Sequence, residues 1–254
     1  MAYSPAAHLT DSPASRLAHE YNSGVSSPPD SIWPPAALKT ALAVLVSGGL
    51  DSAVLLAEAV RAYPVVYPLY VQTGLFWEAV EQQYLHRFLE AIRSPNLRPL
   101  TTLSQPAGDV YGEHWSITGH AAPDSRAPND ADFLPGRNVL LFAKPLIWCC
   151  LQGVPELATA PLASNPFPDA TPEFYDALAA VVSRGMNASV RILRPYTHLH
   201  KSDVIRRGWE LPLHLTFTCI APAGELPCGS CIKCGERQRG FLEAGIPDPT
   251  VYAR

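Results

Sequence analysis

Six uninterrupted apolar residues at 41–46 (ALAVLV) run straight into Ser47-Gly48-Gly49-Leu50-Asp51-Ser52, and helical periodicity follows over 51–61. A short run with no polar side is a strand covered on both faces, the setting of a parallel sheet with helices above and below it. The same alternation continues down the chain. Strands are predicted at 65–71, 97–103, 156–162 and 190–193, and helices at 78–92, 138–151, 201–209 and 232–244, with a kink at Pro145. Another helix starts after Thr171, which caps it, with Pro172 at its first position and Glu173 in its first turn. The expected fold is α/β, a doubly wound parallel five-stranded sheet. Such sheets bind ligands beyond the carboxyl ends of their strands, where strand order reverses. Residues 104–136 hold many Gly, Pro, Asp and Ser and no clear element, and a loop that long is usually functional or mobile. Residues 1–36, rich in Ser and Pro, read as a disordered leader, leaving 37–210 as the main domain and 211–254 as a C-terminal segment.

Composition narrows the function classes. Apolar residues make up 47% of 254, enough for a sizeable core, and the net charge is −4. No dense Lys/Arg run nominates a surface for nucleic acid or anionic lipid, so direct nucleic-acid binding is not expected. No stretch of about 18 apolar residues offers a membrane span. The N-terminus lacks a basic start followed by an apolar run, so a secretory signal is not expected and the chain reads as cytoplasmic.

The loop after the first strand carries the chemistry. Its glycines can adopt positive φ and leave no Cβ in the way, so main-chain N–H groups can converge on an anion, helped by the N-terminus of the next helix. Ser47 and Ser52 can add hydroxyl donors. Asp51 would repel a bare anion, so it is expected to face a magnesium ion or to cap the helix. The loop is neither a Walker loop nor the three-glycine dinucleotide fingerprint. Ser-Gly-Gly-X-Asp-Ser after an apolar strand resembles the PP-loop of ATP pyrophosphatases. That resemblance implies ATP held by Val46, Ser47, Gly48, Gly49, Leu50, Asp51, Ser52, Ala53, Val54 and Leu55, with magnesium, and an adenylated intermediate.

Cys219, Cys228, Cys231 and Cys234 form C-x8-C-x2-C-x2-C, with Gly229 and Gly235 expected to free the tight backbone. Four thiolates satisfy tetrahedral Zn²⁺ and leave no open position, so the metal is expected to be structural, pinning a small C-terminal zinc-bound helical segment. An iron–sulfur cluster and free thiols stay open. Cys149 and Cys150 sit in an apolar helical pattern and read as core.

Loop and cysteines together resemble the 7-cyano-7-deazaguanine synthase family, of the adenine nucleotide alpha hydrolase-like fold, over roughly residues 42–241. Four stretches carry it: 46–55 (VSGGLDSAVL), 134–138 (LPGRN), 168–174 (PDATPEF), and His200-Lys201-Ser202-Asp203 through Thr218-Cys219 to 228–241 (CGSCIKCGERQRGF). The resemblance implies that ATP adenylates the carboxylate of 7-carboxy-7-deazaguanine and that ammonia displaces AMP to give an amide. A second adenylation and loss of water then give the nitrile, releasing a nucleotide and pyrophosphate or phosphate. Asp51, Arg137 and Lys201 are the candidate catalytic residues, and Arg137, Asn138, Asp169 and Glu173 the candidate substrate contacts. His198 and His200 are weaker candidates, and Arg237 and Arg239 are read as supporting the fold. A homodimer is left open.

Two departures stand out. Gly74-Leu75-Phe76-Trp77-Glu78 replaces the family's Arg-His pair followed by Glu, and Ala163-Ser164-Asn165-Pro166-Phe167 replaces its Asn and Asp-Tyr-Ser-Gly-Tyr-like run. The nucleotide half matches and the acceptor half does not. A related PP-loop ligase with a different base or carboxylate, including one that conjugates a deazaguanine to another molecule, therefore stays open. So does a non-catalytic zinc-binding module.

Overall fold

The computed structural model describes residues 32–33, 40–128 and 130–253. The proposed leader falls outside these except for Ile32 and Trp33. From Trp33 onward the chain forms one compact unit. Five strands, β1 (Leu42–Leu45), β2 (Val66–Gln72), β3 (Thr101–Ser104), β4 (Glu156–Ala158) and β5 (Arg191–Leu193), pair in the order β3-β2-β1-β4-β5. Every pairing is parallel, with Ala43 opposite Tyr67 on one side and Leu157 on the other. Strand order reverses between β1 and β4, so a crevice opens beyond their carboxyl ends.

The helices are α1 (Leu50–Ala62), α2 (Glu78–Ala91), α3 (Gly108–Tyr111), α4 (Trp115–Thr118), α5 (Arg137–Gln152), α6 (Pro172–Met186), α7 (Lys201–Arg207) and α8 (Ile232–Ala244). Against one sheet face α5 and α6 bury Phe142, Leu146, Cys149, Tyr175 and Ala179 on Ala43, Leu69, Leu157 and Ile192. A second core joins Trp77 and Tyr84 to Phe217, Ile220 and Ile232 of the C-terminal part.

Several local expectations need correction. The α5 helix continues as one element through Pro145, whose ring is buried beside Leu146 and Phe142, so packing offsets the lost hydrogen bond. The predicted 97–103 strand begins only at Thr101, since Pro99 has no N–H for the ladder. The β4 strand ends at Ala158 rather than 162, where the chain leaves the sheet at the switch point. The stretch 104–136 holds two single-turn helices, α3 and α4. Thr171 caps α6 as expected, accepting the Phe174 N–H at 3.2 Å.

Candidate functional site

The loop between β1 and α1 is a cradle with one strained residue. Gly48 has φ +76, and a Cβ there would lie 3.0 Å from the Glu81 carbonyl oxygen, so only glycine fits without displacement. Gly49, also expected at positive φ, is instead extended at φ −70 and serves as the N-cap of α1. Ser52 Oγ donates to the Gly49 carbonyl at 3.1 Å and accepts from the Ser47 N–H at 3.2 Å. The first intrahelical bond is Ala53 N–H to Gly49 O at 3.0 Å, so the N–H groups of Leu50, Asp51 and Ser52 precede the helical ladder. Those are the donors an anion meets at a helix start. Ala53, Val54 and Leu55 are buried below the loop and shape it without lining the cleft.

Asp51 does not cap α1. Its Oδ2 receives the Lys201 ammonium at 2.5 Å. Lys201 also pairs with Glu236 at 3.0 Å, Glu236 pairs with Lys233 at 3.0 Å, and Lys233 pairs with Asp132 at 2.8 Å. This alternating row joins α1, α7, α8 and Asp132. Burial would discharge Lys201, but Asp51 and Glu236 more than offset it and hold its pKa above the ordinary lysine value. Asp51 Oδ1 and Arg137 Nε are buried with no hydrogen-bond partner among the described residues.

Two adjoining cavities meet at this row. The first, about 300 Å³, is lined by the loop, Arg137, Asn138, Glu78 and Glu81. The second, about 420 Å³, is lined by residues 160–162 and 164–167 after β4, with Asp132 and His200. Asp51, Lys201, Lys233 and Glu236 line both. Asn138, at the start of α5, is held by Asp169, whose carboxylate accepts the Asn138 N–H at 3.1 Å and whose carbonyl accepts its Nδ2 at 2.8 Å. Asp169 thus fixes the start of α5 through Oδ2 and its carbonyl, and the exposed Glu173 at the start of α6 lines neither cavity. His200 caps α7 together with Asp203. Arg237 is buried on Thr216 and the Leu213 carbonyl and supports the fold.

Sequence reasoning missed the charged groups on helices whose partners come from elsewhere in the chain. Glu78 accepts three hydrogen bonds, from Thr73 N and Oγ1 and from Gly74 N, at 2.6–2.8 Å. Glu81 receives the Tyr70 hydroxyl at 2.8 Å, and burial pushes its pKa up to about 8, against the opposing pulls of Tyr70 and Arg137. Lys233 and Glu236, three apart on α8, pair with each other and form a wall of the cleft.

The four cysteine sulfurs lie within 4.8 Å of one another and could hold a metal ion. Cys231 caps α8, and main-chain N–H groups of Ala221, Cys228, Ser230 and Cys231 point at sulfurs at 3.3–3.4 Å. Gly229 does take φ +79, but Gly235 is helical, and its missing side chain makes room for Ser125 rather than for a turn. Cys149 is fully buried, and burial, with Cys150 beside it, pushes its thiol up to about 12, as suits a core residue. No helix among the described residues is long and apolar enough to cross a membrane.

A doubly wound parallel sheet with a Ser-Gly-Gly anion cradle at its switch point defines an α/β protein of the PP-loop type. The chain belongs to the family described as queuosine biosynthesis protein QueC, whose model matches residues 41–245. It is 31% identical over 226 residues to a 7-cyano-7-deazaguanine synthase of Methanothrix thermoacetophila, covering 82% of this chain and 96% of that one. It is 32% identical over 228 residues to a 7-cyano-7-deazaguanine synthase of Thiobacillus denitrificans, covering 85% and 100%. Among solved structures, NMN synthetase from Francisella tularensis aligns with a TM-score of 0.43 and 17% identity, over 82% of this chain and 78% of that one.

Proposed function

We propose that the chain converts 7-carboxy-7-deazaguanine and ammonia to 7-cyano-7-deazaguanine at the expense of ATP, the product for which its relatives are named. The observation that carries this reading is the pair of buried orphan atoms in the first cavity. Among the described residues Arg137 Nε is a donor without an acceptor and Asp51 Oδ1 an acceptor without a donor, and both residues line that cavity. A nucleotide's phosphate oxygens suit the first, and the magnesium that accompanies ATP suits the second.

The chemistry follows from charge. A carboxylate is a poor electrophile, and transfer of AMP to it supplies a good leaving group. The N–H groups at the start of α1 hold the pyrophosphate end, while Arg137 and Lys201 offset the charge gathering at the α-phosphorus. The carboxylate oxygen attacks that phosphorus and pyrophosphate leaves. Ammonia then attacks the acyl carbon, AMP departs, and the nitrogen loses a proton. In the second round the amide oxygen is adenylated, and it leaves with AMP as the nitrogen gives up its two remaining protons and forms the nitrile. Asn138 faces the acceptor, and Asp169 acts through it by fixing the start of α5.

Zinc suits the cysteine cluster. A metal–sulfur bond of about 2.3 Å gives sulfur–sulfur edges of about 3.8 Å in a tetrahedron, and Cys219–Cys228, Cys219–Cys231 and Cys228–Cys234 stand at 3.5, 3.8 and 3.9 Å. The role is to fold residues 211–254 onto the 37–210 domain. Unpaired thiols at such close range fit the reducing cytoplasm.

A second reading, a related carboxylate base as acceptor, is favoured by Trp77, which lines the first cavity and stacks on Trp115 at 5.9 Å where the family has a polar pair. The test is pyrophosphate release with ammonium and a panel of deazaguanines. Release that needs both ammonium and the 7-carboxy compound supports the first reading. Release with a different carboxylate alone selects the second, and none with any acceptor defeats both.

A further inference from the structure

The Lys201 ammonium is shared by two carboxylates that differ in what else they hold. Asp51 binds it through Oδ2 and keeps Oδ1 buried without a partner. Glu236 has no oxygen to spare: Oε1 takes Lys201 and Oε2 takes Lys233. Lys233 is itself anchored on Asp132 Oδ2 at 2.8 Å. The Lys201 stem is clamped as well. Gly240 of α8 lies so close that a Cβ there would run into Lys201 Cγ and sit 3.0 Å from Ile205 Cδ1. Only the charged head of Lys201 has a choice of partner. These side chains stand on the partition between the two cavities, and Lys233 and Glu236 are delivered there by the helix that carries Cys234 and is capped by Cys231.

We propose that Glu236 is a positioning residue: it keeps the Lys201 ammonium on the partition when the nucleotide and its cation draw Asp51 away. The inference rests on the reading of Lys201 given under Proposed function. An incoming polyanion and its divalent cation compete for both members of the Asp51–Lys201 pair. With Asp51 engaged, Glu236 is the carboxylate left to hold Lys201 beside the phosphate it must neutralise. Glu236 can do so because Lys233 fixes its other oxygen and keeps it from following Lys201. The cysteine segment would thereby set the reacting geometry besides stapling the fold. Misplacement of a catalytic group by about 1 Å can cost about a hundredfold in rate.

The test is steady-state pyrophosphate release by the full chain carrying Glu236→Gln, Lys233→Met or Lys201→Met, with metal content and thermal midpoint measured on each. Glu236→Gln keeps the shape and removes the charge. It is expected to lower kcat about ten- to a hundredfold with KM for ATP unchanged or lower, since phosphate no longer competes with Glu236. Lys233→Met, which leaves Glu236 charged but loose, should move kcat in the same sense by a smaller factor. Turnover of Glu236→Gln within about twofold of native, while Lys201→Met is inactive, overturns the inference and spares the reading of Lys201. Native turnover by Lys201→Met sinks the reading and the inference together. If Glu236→Gln loses metal or melts early, Lys233→Met with its metal retained decides, and full turnover there counts against the proposal.

Discussion

Glu81 packs beneath the loop between β1 and α1, with its carboxylate on the Tyr70 hydroxyl and its own carbonyl against Gly48. The unfolded chain gives up this proton near the ordinary carboxylate value, while the folded chain keeps it to about 8. Between those limits the folded state binds more protons. The stability that neutral Glu81 contributes is whole below the ordinary value and is lost as pH climbs toward 8. Glu81→Gln, which cannot ionise, should therefore lose less stability than the native chain between about pH 6 and 8, as read by denaturant unfolding at both. At Arg137 the expectation concerns rate. Arg137→Ala should lower kcat/KM for pyrophosphate release by about a hundred- to a thousandfold. Arg137→Lys should restore little of it, because a point charge does not reproduce the planar guanidinium.

At the scale of elements, the turn from β1 into α1 depends on one backbone conformation. Gly48→Ala forces a side chain to φ +76 against the Glu81 carbonyl, a cost of about 1–2 kcal/mol before any clash. Nucleotide affinity by calorimetry should fall more than thermal stability, since the loop can relax only by moving its N–H groups. The start of α6 offers the opposite case. Thr171 caps it away from both cavities, so Thr171→Ala should cost about 1 kcal/mol of stability and leave turnover unchanged. These two turns were legible because their chemistry is local: a strand, a loop and a helix start all lie within a dozen residues. The ends of β3 and β4 were not, because pairing partners and burial on the sheet decided them.

At the scale of the whole molecule, the parallel sheet, the cradle at its switch point and the four-cysteine spacing could all be read from the chain. The partition between the cavities could not. Its ion pairs join Asp51 to Lys201 and Lys201 to Glu236, residues brought together only when α1, α7 and α8 meet. Asp169 and Glu173 illustrate the reverse: they lie in a matching motif, and in the fold one holds Asn138 while the other is exposed. Because α8 links the cysteines to the cleft, metal removal should act at both ends. Chelation, or Cys228→Ser, is expected to abolish turnover and to make residues beyond about 210 sensitive to protease, while far-ultraviolet dichroism shows the sheet and most helices retained. A chelated chain with native turnover and native protease resistance would contradict this.

The Phe217 N–H donates to the Gly48 carbonyl at 2.8 Å, so a segment far along the chain supports the turn that β1 begins. On the ribosome that support arrives late. A growing chain that has already emerged past its sheet still lacks the strut under this loop, so the turn cannot settle into its final shape before Phe217 follows.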